Sequence, residues 1–347
     1  MDSKKIKNLK NLIKSNVKNL VKISCIAIML IVLACAPYFL RSYYLSILQS
    51  VLVWVVLSMS WYFFSGLTKY VALGSVAFVG TGMYFTAICL YSIHIRKYYL
   101  GLPFPLSFPD IVILAGLICF GLALAIGLVS LRLKGIYFAI ATFGIAELVK
   151  GIFRWWADYT RAVPYQLNCP VEFLKPGLSY YSVLATTFVA LLLTAFLLRS
   201  RFGLALRMIG ENEEAAAHVG VNTTIYKTLG FAISAFFMGL MGASYMIRFG
   251  AVNIDSIFIF DYSFMPPVMV LLGGIGSPYG PIIGATALTL INEYLRMSLM
   301  NYPFINYQMV YGAILVVIVL FLPNGILGAV RLRRVKFAKW KRVSLRR

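Results

Sequence analysis

The sequence predicts an all-α protein, a polytopic transmembrane helical bundle of about ten membrane segments with interrupted helices and an inverted repeat. Three observations carry that prediction. Of 347 residues, 61% are hydrophobic and only 12% are charged, whereas soluble domains give about a quarter of their residues to Asp, Glu, Lys and Arg. The apolar residues gather in runs near the ~20 residues of helix that cross a hydrocarbon core about 30 Å thick. Period-2 alternation of the barrel kind is absent, so each segment must satisfy its own backbone groups as a helix. The composition excludes a soluble enzyme.

Charge is as uneven as composition. The chain carries 32 Lys and Arg against 11 Asp and Glu, a net +21, and half of the basic residues lie in two tails, 1–22 and 326–347. Between them, 23–325 reads as one transmembrane domain. The excess marks a topology rather than a nucleic-acid face, because the basic residues bracket the apolar middle instead of sharing a surface.

The first run, near 23–40, follows a long basic stretch, and no small-residue cleavage site follows Cys35, Ala36 and Pro37. It is expected to stay as an anchor rather than leave as a signal peptide. Further runs fall near 44–64, 70–93, 111–131, 136–153, 180–198, 225–249, 263–275, 280–300 and 305–322. The run at 263–275 is short for a crossing, but an even count keeps both tails together. With the termini cytoplasmic, 23 of the 32 basic residues lie inside, as the positive-inside bias requires. The five cysteines show no C-x-x-C spacing and read as small apolar residues, with no metal site.

Two stretches inside the runs are rich in glycine, Leu73–Gly82 and Gly273–Pro281, one in each half of the chain. Transporters interrupt helices where loosened backbone lines a cavity, and this placement suggests the inverted repeat. Close helix packing explains Gly80 and Gly284 equally well, while a turn is the better reading of 273–281. Glu147 lies thirteen residues beyond Lys134, about 20 Å of helix at 1.5 Å per residue, hence in the outer half of its span. A charge at the centre of a span costs about 2.5 to 3.5 kcal/mol, so Glu147 should line a wet path or be neutralised by Lys150 on the same face. Both roles stand. The residues expected on a translocation path are Gly74, Phe78, Tyr137, Thr142, Glu147, Gly273 and Gly274. In the outer loop, Trp155 and Trp156 suit an interfacial belt, and the polar remainder suits a docking surface.

The loop 199–224 holds the most polar interior segment. Gly210 is expected to break the chain there. Glu211, Glu213 and Glu214 then occupy a first helical turn, which favours anions, and Gly220 caps the other end with positive φ. Such a short helix is marginal alone. Surface helices usually meet anionic lipid with Lys and Arg, whereas this one offers Glu, so docking against a partner protein is the favoured role over simple membrane contact.

The run Glu214, Ala215, Ala216, then Gly220 resembles the E-A-A-x-x-x-G coupling motif of ABC importer permeases. The wider segments 203–221 and 231–245 resemble the LivM-type permeases of branched-chain amino acid transporters. Arg132–Glu147 resembles that family's fifth-span segment, and Leu272–Ala285 its late glycine-rich turn, so the likeness covers about 60–325. Lys69 and Ala72 stand where the family usually has Gly and Ser before Leu73 and Gly74, and Pro266 and Pro267 are further departures. The resemblance implies a permease domain with coupling residues Glu211, Glu213, Glu214, Ala215, Ala216 and Gly220. It implies a second homologous permease, two cytoplasmic ATP-binding subunits and an extracytoplasmic substrate-binding protein as partners in the lipid bilayer of the cell membrane. Leucine, isoleucine and valine are the implied cargo, with urea, short-chain amides or sugars as the alternative.

Other function classes fit less well. No G-x-x-x-x-G-K-[ST] occurs in the chain, so no cofactor is expected and ATP is left to partner subunits. A membrane enzyme wants paired acids with a metal or a histidine site, but the two histidines, His94 and His218, lie in different loops; no catalytic residue is expected. An ion-driven transporter wants an intramembrane charge set, and Glu147 alone supplies little of one.

Overall fold

A computed structural model of the chain describes residues 31–95, 107–160, 166–168, 176–299, 307–321 and 325–328. It comprises two compact units, Met1–Ser46 and Ile47–Arg347. In the first, residues 31–39 are helical; the rest of the run at 23–40 and the tail 1–22 lie outside the described residues, as does the basic tail beyond 328.

Numbering starts at the helix after residue 41. Helix α1 (Ser42–Trp61) continues through a π-turn (Tyr62–Gly66), followed by α2 (Ser75–Ile95), α3 (Phe108–Ser130), α4 (Ile136–Thr160) and α5 (Pro176–Arg199). Two short helices, α6 (Arg201–Glu211) and α7 (Glu213–His218), lead into α8 (Thr223–Met246). Then come α9 (Ile254–Ile257), α10 (Asp261–Gly273), α11 (Gly280–Leu299) and α12 (Tyr307–Phe321). Among the described residues, seven helical segments are long and apolar enough to cross a membrane: α1 with its π-turn, α2, α3, α4, α5, α8, and α9 joined to α10. The runs near 280–300 and 305–322 are also helical, as α11 and α12.

One element escaped a purely helical expectation. Strand β1 (Gln166–Asn168) pairs antiparallel with β2 (Ala251–Asn253), with Leu167 opposite Val252, and both of those side chains are buried. The ribbon puts the carboxyl ends of α4 and α8 on one side of the bundle.

The core is built on α2 and α8. A β-carbon at Gly82 would fall on the Gly239 carbonyl oxygen, one at Gly242 on the Val79 carbonyl oxygen, and one at Gly239 against Cys119 of α3. Without a hydrophobic driving force between helices in lipid, close backbone approach is what gains dispersion contact. Buried Cys89 and Cys119 are free, in keeping with small apolar residues, while Cys25 and Cys169 lie outside the described residues. Phe64, Phe78, Phe138 and Phe231 fill the space below with edge-on and tilted ring contacts of 5.2–6.2 Å between centroids.

The first glycine-rich stretch departs from expectation in detail, and the second folds as the turn the sequence suggests. In the first, the chain is non-helical over 69–74 and helical from Ser75 onward. Gly80, Thr81 and Gly82 therefore belong to α2, and Gly80 faces Phe258 and Gly82 faces α8 as packing surfaces. In the second, 274–279 is a turn between α10 and α11, with Gly274 at φ +106°. Gly284 abuts the Met269 carbonyl, the close-packing role.

Because no β-carbon fits at these contacts, Gly82→Val or Gly242→Val should overpack the α2–α8 seam and cost about 1 to 3 kcal/mol. Fluorescence-detected size-exclusion melting should show the loss. Gly121→Ala is the control, since nothing lies within 4 Å of its new methyl group; an equal loss there would refute the packing account.

Candidate functional site

The polar segment after α5 folds as a capped corner. Ser200 accepts a hydrogen bond from the Gly203 amide, and Asn212 accepts one from the Ala215 amide at 3.0 Å. Asn212, in an extended conformation, is the break between α6 and α7. Gly210, expected as the breaker, is helical instead: its missing β-carbon lets α6 lie against the Leu67 carbonyl. Glu211 consequently ends α6 and does not share the first turn of α7, where Glu213 and Glu214 sit.

The other end of α7 closes as the sequence suggests. Gly220 has φ +92°, its amide bonds the Ala217 carbonyl, and the Val221 amide bonds the Ala216 carbonyl. This is the paired capping pattern that favours glycine. Ala216 is buried under the helix, while Glu214, Ala215, His218 and Val219 face outward. The six-residue α7 thus presents a mostly unpartnered face.

What holds α7 in place was not legible as a site. Lys227, only 4% exposed, donates to Glu213 Oε1 at 2.5 Å and to the Tyr70 hydroxyl at 3.2 Å, and Tyr70 donates to Glu213 Oε2 at 2.6 Å. The lysine also lies 4.7 Å from the Tyr70 ring centroid. Burial alone would push the Glu213 carboxyl up, but the hydrogen bonds from Lys227 and Tyr70, with the charges of Lys227 and Lys134, hold it below its usual range. Burial, then the neighbouring carboxylate, push the Tyr70 hydroxyl up, so it stays a proton donor. By contrast, the Lys69–Glu211 pair at 3.6 Å is exposed on both sides and worth little. The available signal for the triad was a lysine one turn into an apolar helix, too polar for its place unless a carboxylate reaches it.

Tyr70 belongs to the non-helical stretch, and side chains satisfy much of that stretch's backbone. Ser65 accepts from the Ala72 amide, Thr142 of α4 from the Leu73 amide at 3.1 Å, and Ser263 of α10 from the Val76 amide at 3.2 Å. Trp61 donates its indole N–H to the Ala72 carbonyl at 2.8 Å. Lys69 opens the stretch at φ +61°, a conformation usually left to Gly.

The residues expected on a path are distributed. Gly74 packs against the Thr142 carbonyl, and Thr142 is buried. Phe78, 3% exposed, sits in the aromatic core, and Gly273 and Gly274 pack backbone to backbone with Gly280. Tyr137, 75% exposed, and Glu147 lie on the outward face of α4. That face also carries Ile140, Gly144, Leu148, Gly151 and Trp155, at helical spacing. Lys150, which one of the two readings of Glu147 gave as its partner, pairs with Asp255 at 3.3 Å instead, and Arg154 joins the same carboxylate. The competing anion sits on α9, distant in sequence. Glu147 has no ion pair among the described residues. No cluster there suits a metal.

The family described as branched-chain amino acid transport system / permease component matches residues 43–319. The high-affinity branched-chain amino acid transport system permease protein LivM of Salmonella typhimurium is 28% identical over 333 residues, covering 87% of this chain and 74% of that one. LivM of Escherichia coli K12 is 28% identical over 342 residues, with 90% and 76% covered. The permease protein LivH of the same organism is 32% identical over 150 residues, with 43% and 47% covered.

Glu213 has a depressed carboxyl, so its contribution is fully present above the unfolded value of about 4.3 and is lost as pH falls through the lower folded value. Hydrogen-exchange protection of 213–221 should therefore hold from pH 8 to about 5 and collapse only in stronger acid. Lys227→Met should remove about 2 kcal/mol of that protection at pH 7, the scale of a charged hydrogen bond. Unchanged protection in Lys227→Met would show that the triad does not hold α7.

Proposed function

We propose, from the premise that this chain belongs to the family of permease components of branched-chain amino acid transport systems, that it carries leucine, isoleucine and valine across the cell membrane. It is a multi-pass permease subunit of an ABC importer. The observation that carries the coupling half of this reading is the joint at Glu213. Helix α7 is tied through Lys227 to the foot of α8, the central helix, and through Tyr70 to the non-helical stretch. That stretch is hydrogen-bonded in turn to α4 by Thr142 and, through Val76 at the start of α2, to α10 by Ser263. A push on α7 from an ATP-binding subunit would thus reach each of these helices through a contiguous chain of packed, hydrogen-bonded groups, a route by which coupling between distant sites can travel.

The topology we infer has ten crossings with both termini cytoplasmic. The β1–β2 ribbon supports α4 and α8 running in the same direction, which leaves α6 and α7 on the opposite side with Arg199, Arg201 and Arg207, the cytoplasmic side by charge bias. Segments 69–74 and 251–260 then enter the bundle from opposite faces, each leading into a helix, as an inverted repeat would arrange them. The second glycine-rich stretch, at the turn 274–279, falls on the same side as 69–74 in this topology and is not the counterpart the sequence suggested.

The outward face of α4 is our candidate for the translocation path. A carboxylate facing lipid from within a span is costly, and Glu147 shares its stripe with two glycines whose β-carbons would meet nothing within 4 Å. Such a face suits a second permease subunit across a wet path better than acyl chains. The remaining partners in this reading are two cytoplasmic ATP-binding subunits, docking at Glu213–Gly220, and an extracytoplasmic binding protein. The motion is alternating access: ATP binding closes the ATPases, α7 moves with them, and the bundle reopens on the other side.

Two experiments test this reading. Glu214→Lys reverses the charge on the outward face of α7 without touching the triad, and should abolish co-purification of the ATP-binding subunits; undiminished co-purification would sink the docking role. In vesicles reconstituted with the whole importer, unlabelled leucine should compete tracer uptake away and urea should not. Uptake indifferent to leucine would overturn the amino-acid cargo.

A further inference from the structure

At the α5–α6 corner lies a cavity of about 670 Å³, lined by apolar residues including Met59, Leu191, Ala195 and Ile282, and by Arg199, Arg201 and Arg207. We propose that it binds one anionic phospholipid, with the phosphate on the three guanidinium groups and an acyl chain along the apolar groove.

The lining changes character along a single helix. Leu191, Ala195 and Leu198 follow one another down α5, and Arg199 ends it, so over eight residues, about 12 Å of rise, the wall passes from hydrocarbon-like to cationic. Ser200 then turns the chain, and α6 runs on with Ala205, Leu206 and Ile209 buried and Arg201, Leu204 and Arg207 exposed. That is the pattern of a helix lying in a membrane interface, with Arg on its polar side. Pro278 and Tyr279, from the turn before α11, also line the cavity. None of the three arginines has an ion-pair partner among the described residues, although carboxylates elsewhere in the chain are paired. Three unpaired cations at the rim call for an anion.

Size and lining choose among anions. The volume falls in the range that encloses an organic ligand of drug size, well beyond a lone phosphate. An acidic protein segment would meet the arginines but offers nothing to Met59, Leu191, Ala195 and Ile282, which lie beside a membrane span. Basic pockets between transmembrane helices are sites where anionic head groups lodge. The inference needs only that α5 crosses the membrane and ends at Arg199; it stands whatever the cargo.

The test titrates the full-length, delipidated chain in detergent with phosphatidylglycerol, phosphatidylcholine or glycerol phosphate and counts bound molecules by native mass spectrometry. One phosphatidylglycerol should bind in preference to phosphatidylcholine. Arg199→Gln/Arg201→Gln/Arg207→Gln should weaken it about a hundredfold, at about fivefold per charge. Ala195→Trp, which fills the apolar half and leaves the arginines, should weaken it comparably. If the triple variant does not purify, Arg207→Gln alone should give the fivefold loss. Equal retention of both lipids, undiminished binding in the variants, or displacement by glycerol phosphate at matching concentration would each overturn the proposal. So would unchanged lipid binding together with lost co-purification of the ATP-binding subunits, which would assign the arginines to a protein partner.

Discussion

A backbone that leaves the helix inside a packed protein must find new partners for its amides and carbonyls, because an unpaired buried group costs about as much as a lost hydrogen bond. The stretch 69–74 meets that demand with hydroxyls from three places. Ser65 lies just before it, Thr142 comes from α4, and Ser263 of α10 serves the first turn of α2 immediately after it. The indole of Trp61 takes the Ala72 carbonyl. The remaining arrangement hangs on this solution: it fixes where α2 begins, draws α4 and α10 to one point, and presents Tyr70 to the base of α8. Thr142 has no exposed role to play; its place is explained by the amide it serves.

The glycine contacts determine what kind of body these hydrogen bonds join. Where a carbonyl of one helix rests in the space left by a missing side chain of another, as at Gly82, Gly242 and Gly284, the separation of the helices is set by backbone rather than by adjustable side chains. Packed interiors of this kind switch between discrete arrangements rather than deforming smoothly. In the coupling proposed above, a displacement of α7 would accordingly be passed on as movement of whole helices.

How far the sequence discloses this differs by element. Membrane helices are legible because length and apolarity are local properties, and nine of the ten runs coincide with described helices, with only the tail of the first described. Gly220 is legible because a positive φ after a short helix selects for glycine. Gly210 misleads because its reason for being small lies across the fold, at the Leu67 carbonyl, and the break falls on Asn212, whose side chain could cap the next helix. The partner of Lys150 misleads for the same reason. Spacing along one helix favours Glu147, while the chain brings Asp255 from a hundred residues away. Lys227 reads as flanking charge until Glu213 and Tyr70 are seen to enclose it. In each failure a neighbour distant in sequence outweighs one nearby.

The short ribbon between 166–168 and 251–253 bears on how the bundle can move. It ties the loop after α4 to the loop after α8 with a ladder three residues long and with Leu167 and Val252 sealed beneath it. The ladder joins 166–168 to 251–253, so in the alternating-access motion proposed above the two segments would move as one or the ladder would break. In the importer proposed above, a binding protein docked there would rest on a plate that stays whole while the helices beside it move.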